Sequence, residues 1–143
     1  MAKLVKGDKF PDFTVDTHMK KGVKISQIVD GKPTALLVIR YIGCTVCRYD
    51  VHQIAVNYQK FVDRGLNVAV VMQSTAENVN KDLERTKETL PYPIVCDPEE
   101  KIYKELEILP AESMEALVGG DMAGLQAKGA RAAQRGYVHG EYE

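Results

Sequence analysis

Two cysteines separated by two residues, Cys44-Thr45-Val46-Cys47, are the residues of this chain best suited to carry chemistry. An arginine flanks them on each side, Arg40 four residues before and Arg48 directly after. In the first turn of a helix this spacing lets both sulfurs approach and close a disulfide. The unpaired backbone N–H groups and the positive end of the helix dipole favour thiolate over thiol, lowering the pKa from about 8.5. Arg40 and Arg48 are the candidates for adding positive charge beside that thiolate. On the residues alone three readings stay open: a redox pair, half of a metal site, or two packed thiols. Structural zinc needs about four ligands. The remaining candidates, Cys96, His18, His52 and His139, include no second pair at ligand spacing, so neither a metal nor another cofactor is expected. Cys96 reads as a small buried hydrophobe, and His52 as a packed or solvent-facing side chain.

The elements around the pair must put it at a helix start. Thr34–Tyr41 is a near-continuous apolar run, which suits a strand buried on both faces of a parallel sheet. After Cys44, the residues Val51, Ile54, Ala55, Tyr58, Phe61 and Val62 recur at helical spacing, and Gly65 is a plausible stop. Leu66–Met72 predicts a second buried strand. Ser74 and Glu77 have capping-box spacing, opening a helix over about 75–89. Tyr92–Cys96 predicts a third strand, and Asp97-Pro98 opens another helix. Alternating strands and helices predict parallel pairing with right-handed crossovers. Function then gathers at the carboxyl ends of the strands, where the cysteines lie. Residues 8–16 read as an extended lead-in.

Composition narrows the class. The chain has 143 residues, 19 basic against 20 acidic, giving a formal net charge of −1. One domain, 1–143, is expected. Nothing in the charge balance favours nucleic acid or an anionic membrane. Lys20, Lys21 and Lys24 form a small basic patch that reads as a solvated loop. The N-terminal MAKLVKGDKFPDF has no apolar run long enough for a signal or spanning segment. A cytoplasmic location is expected, where a close cysteine pair is catalytic, redox-active or metal-binding more often than a structural disulfide.

Residues 7–109 resemble the alkyl hydroperoxide reductase/thiol-specific antioxidant family, the peroxiredoxins. The features that carry the resemblance are GDKFPDF at 7–13, the apolar strand leading into the cysteines, the Val68–Met72 strand, and YPIVCDPEEKIYKELEI. The resemblance implies an α/β, thioredoxin-like three-layer sandwich with a mostly parallel sheet. In that family the motif Pro-x-x-x-Thr-x-x-Cys ends in the cysteine that attacks peroxide. Laid on this chain, that cysteine is Cys47, the threonine position holds Cys44, and the proline position holds Arg40. The departure makes a thioredoxin-style CxxC, in which Cys44 is the nucleophile.

The tail also departs. Thioredoxin-like domains finish with further strands, whereas PAESMEALVGGDMAGLQAKGARAAQRG is rich in Ala and Gly and poor in strand formers. One or two small helices broken near Gly119-Gly120 are expected for 110–143, either closely packed or loose on the surface. The sheet is expected to stop after its third core strand, leaving the first long strand as an edge prone to association. A homo-oligomer is therefore expected.

The resemblance implies a thiol peroxidase that reduces hydroperoxides. Cys47 becomes a sulfenic acid, Cys44 condenses with it, and thioredoxin or another thiol restores both. Two alternatives stand beside it: a thiol–disulfide oxidoreductase attacking through Cys44, and a non-enzymatic redox-sensing module.

Overall fold

The computed structural model describes residues 4–140. Five strands form one mixed sheet: β1 (Thr14–Thr17), β2 (Val23–Lys24), β3 (Thr34–Val38), β4 (Asn67–Met72) and β5 (Ile94–Cys96), in the order β2-β1-β5-β4-β3. The three core strands β3, β4 and β5 pair in parallel, as expected from the strand–helix alternation. The expected extended lead-in instead closes a hairpin, β1–β2, which adds to β5 in the antiparallel sense. Lys20 and Lys21 lie in the turn of that hairpin.

Side-chain alternation along the strands creates the layers. Val68, Val70 and Met72 of β4 and Ile94 and Cys96 of β5 belong to one buried cluster, with Val51 and Ile54 of α2 (Thr45–Val56) and Val79 and Leu83 of α4 (Ala76–Thr86). Val71 and Val95 face the other way. They pack with Ile25 of α1 (Ile25–Val29) and Ile102 and Tyr103 of α5 (Lys101–Glu105). The result is a three-layer α/β/α arrangement.

Position within the sheet decides how deeply a strand is buried. From Val68 to Met72, β4 is wholly buried because strands flank it on both sides. Every residue of β3 is only half-buried, which corrects the expectation that this strand is covered on both faces. It is one edge of the sheet among the described residues, and β2 is the other.

The long helix expected after Cys44 is two. Asn57 turns its side-chain amide onto the Gln53 carbonyl at 2.8 Å, and α3 (Tyr58–Asp63) starts anew. This is the local competition between an Asn side chain and helical hydrogen bonds. Gly65, with φ of 72°, follows α3 as the stop its sequence position predicts. The cap of α4 is Thr75, whose hydroxyl accepts from the Asn78 N–H, and not Ser74. The tail forms α6 (Met114–Val118) and α7 (Met122–Gln134), separated at Gly119-Gly120. Of the two tail readings, close packing holds for α7, which lies against α2 with Ala132 fully buried.

Candidate active site

Cys44 is the N-cap of α2, at the end of the short loop 39–43 that leaves the carboxyl end of β3. Its Sγ accepts the Cys47 backbone N–H at 3.4 Å and the Arg40 Nη1 at 3.9 Å. A cap side chain normally receives one of the unpaired N–H groups of the first turn. Here a sulfur fills that place. Donors and the helix dipole both stabilise its anion.

The two thiols therefore diverge. Cys44 is held down to about 6, first by a hydrogen bond from the Cys47 thiol, then by backbone N–H groups and the Arg40 charge, against the opposing effect of burial. Cys47 is pushed far above the ordinary thiol range, because its proton is engaged by Cys44 and because it is buried. Near neutral pH the arrangement is a Cys44 thiolate supported by a Cys47 thiol. Both are buried. Cys96 is also buried, and burial raises it to about 12, in keeping with the small-hydrophobe reading.

The loop before Cys44 is held by two groups for which sequence reasoning finds no role there. Buried Ser74 accepts the Ile42 N–H at 2.9 Å. The Tyr103 hydroxyl donates to the Ile39 carbonyl at 2.5 Å. The capping role assigned to Ser74 concealed its real one.

Of the two arginines expected to support the thiolate, Arg40 touches the Cys44 sulfur. Arg48 does not serve there. It is 1 % exposed, and its guanidinium is taken up by α4 and the residues after it. There it pairs with Asp82, with Glu88 at 3.2 Å and with the Thr86 hydroxyl at 3.1 Å. The Tyr137 ring covers it at 4.3 Å, and the Tyr137 hydroxyl donates to Glu88. His52 joins through Nδ1, 3.2 Å from Glu88, so it is packed and half-buried. The signal was present in the spacing. Arg48 shares the buried stripe of Cys47, Val51 and Ile54, and a cation on an apolar stripe needs carboxylate partners.

That network brings the tail to the site. After Tyr137, the Gly140 N–H donates to the Gly43 carbonyl at 2.7 Å. The helices α6 and α7 form the far wall of a cleft of about 690 Å³ whose near wall includes Cys44 and Cys47. Among the described residues, no group of three or more His, Cys, Asp or Glu side chains is placed to hold a metal. No helix among them is long and apolar enough to cross a membrane.

Comparison with known proteins adds three findings. The sequence profile of the AhpC/TSA family matches residues 6–130. No curated protein sequence matches the chain. Among solved structures, peroxiredoxin 6 of Arenicola marina superposes with a TM-score of 0.69 at 17% identity, covering 77% of this chain and 52% of its own. A yeast mitochondrial 1-Cys peroxiredoxin, whose thiol is resolved via glutathione/thioredoxin systems, gives 0.67 at 18%, covering 74% and 52%. A thiol:disulfide interchange protein of the thioredoxin family from Chlorobium tepidum gives 0.51 at 18%, covering 70% and 67%. The chain thus spans about half the length of the two peroxiredoxin structures.

Proposed function

The chain belongs to the AhpC/TSA family, and from that premise we propose that it is a thiol–disulfide oxidoreductase in which Cys44 attacks and Cys47 resolves. The observation that carries the reading is the support of the Cys44 sulfur by the Cys47 N–H and Arg40. The thiolate is the nucleophile in such exchange, and the thiol with a pKa near ambient pH attacks best. The Cys44 thiolate attacks one sulfur of a substrate disulfide, forming a mixed disulfide and releasing the other half as a thiolate. Cys47 then loses its proton and attacks the Cys44 sulfur. This closes the Cys44–Cys47 disulfide and frees the second half of the substrate. The substrate is reduced by two electrons and the pair is oxidised. A dithiol reductant of the thioredoxin type restores it, which suits a reducing, cytoplasmic setting.

Trapping with the single variant Cys47→Ser tests this. We expect a disulfide substrate to accumulate as an adduct on Cys44, located by peptide mass spectrometry. Adduct on Cys47 or Cys96 in the corresponding Cys44→Ser protein, at an equal rate, overturns it.

The family match favours a second reading, a thiol peroxidase, in which Cys47 is the peroxide-attacking cysteine that the motif resemblance implies. In that case one sulfur gains the distal oxygen of a hydroperoxide, releasing the alcohol or water. The other condenses with the sulfenic acid, expelling water. Rapid mixing with hydrogen peroxide separates the two readings. Sulfenic acid confined to Cys47 in the Cys44→Ser protein, formed faster than disulfide exchange at Cys44, favours peroxidase chemistry.

A further inference from the structure

The cleft beside Cys44 is chemically lopsided. Its outer wall is built from Met114, Leu117 and Val118 of α6 and Leu125 of α7, facing Ile39 and Val46 across the opening. Met114 and Leu117 are each more than half exposed, so apolar surface is held in water next to a reactive sulfur. At about 690 Å³ the volume lies in the range of small-molecule clefts, which are mostly apolar with a few placed polar groups.

The charged residues of the cleft already have counterparts. Asp50 pairs with Lys128 at 2.9 Å. The Asp121 carboxylate caps α7 through the Gly124 N–H at 2.9 Å. Arg40 faces the Cys44 sulfur. A ligand bearing its own carboxylates or ammonium groups would have to disturb one of these pairings, whereas an uncharged apolar ligand disturbs none.

We infer that the cleft binds the non-reacting part of the substrate, and that this part is apolar and uncharged: the substrate is a disulfide flanked by apolar groups. This rests on the thiol–disulfide reading above. Leu117, Val118 and Leu125 are then specificity-determining residues. They set KM and the choice of substrate without touching the sulfurs.

Gly129 gives a clean way to alter the cleft. It lines the space on α7, and a Cβ built on it meets no atom within 4 Å. Leucine at this position favours the helix relative to glycine and has room to grow into the cleft.

The test compares three disulfides with the reduced protein by stopped-flow kinetics. They are 2-hydroxyethyl disulfide, oxidised glutathione, and the uncharged disulfide dimer of N-acetyl-phenylalanyl-cysteine amide. We expect kcat/KM for the apolar dimer to exceed that for glutathione disulfide at least roughly tenfold, the scale of discrimination an apolar pocket gives. In Gly129→Leu we expect that advantage to be lost, chiefly through KM, while the small 2-hydroxyethyl disulfide stays within about twofold. Leu125→Asn should reduce the same advantage by a different route. Glutathione disulfide reacting as fast as the apolar dimer overturns the inference. So does a Gly129→Leu protein that loses all three substrates equally or none. Failure of the unsubstituted protein to reduce any of the three overturns the thiol–disulfide reading itself, and the cleft assignment with it.

Discussion

The backbone N–H of Cys47 points at the sulfur of Cys44, 3.4 Å away. The second cysteine is thereby the support of the first, and the two thiols, alike in sequence, differ in acidity. Sequence spacing establishes that the sulfurs are near one another. Only the choice of N-cap decides which becomes the anion, and Cys44 holds that position.

That asymmetry predicts a pH profile. Alkylation of Cys44 by iodoacetamide should rise with a midpoint of about 6, well below the ordinary thiol range. Cys47→Ala removes the largest stabilising contact and should move the midpoint upward. Arg40→Gln should move it less, because its charge ranks after the Cys47 contacts. Site-resolved mass spectrometry from pH 4 to 10 checks all three. Preferential alkylation of Cys47 in the unsubstituted protein contradicts the assignment.

The buried arginine predicts a stability effect. Arg48 sits between Asp82 and Glu88 at 1 % exposure. Arg48→Met leaves the buried Asp82 carboxylate with Arg85 and the half-buried Glu88 with His52, Arg135 and Tyr137. The loss should therefore fall below the cost of about 3–5 kcal/mol for a fully buried pair broken from one side. Asp82→Leu should cost a similar amount. The double variant should lose much less than the two single losses added, because it removes charge from both sides. Urea unfolding of the four proteins measures this. Strictly additive losses would show that the pair is not coupled.

Glu88 carries the pH dependence of the same network. Burial alone would raise its pKa, but the Tyr137 hydroxyl, the Arg48 charge and His52 outweigh it and hold the carboxyl at about 2, against an ordinary 4.5. A depressed folded-state value means the ionised form is favoured by folding. Glu88 therefore contributes fully above 4.5, and its contribution is lost as the pH falls from there to about 2. Unfolding free energy measured across that window should fall more steeply in the unsubstituted protein than in Glu88→Gln.

How much of this could be read from the chain differs by level. The parallel core was legible because β4 is apolar at every buried position and strand–helix alternation forces crossovers. The β1–β2 hairpin was not, because β2 has two residues and carries no periodic signal. The edge position of β3 was expected from the strand-poor tail, whereas its apolar run by itself suggested full cover. An apolar run reports composition, whereas burial depends on whether a neighbouring strand exists, and β3 has one on a single side. At the site, Cys44, Cys47 and Arg40 were legible from spacing. The partners of Arg48 lie 34 and 40 residues away or, as with Tyr137, in the tail. Such contacts are set by packing and leave no local pattern.

The edge strand supports a last prediction, self-association. Leu36 and Val38 of β3 line a surface cleft with Leu106, Ile108 and Leu109, and Leu109 is 73% exposed. An unpaired strand edge beside exposed apolar side chains is a template for pairing with another chain. We expect light scattering to show concentration-dependent association of the reduced protein. Leu109→Glu should weaken it by placing charge beside the edge while leaving urea stability within about 0.5 kcal/mol, as for other exposed substitutions. Hydrogen exchange supplies an independent readout. The outward amides of β3 should exchange faster than those of β4 in dilute protein and become protected as concentration rises. Concentration-independent exchange together with a strictly monomeric mass would exclude β3 as an association edge.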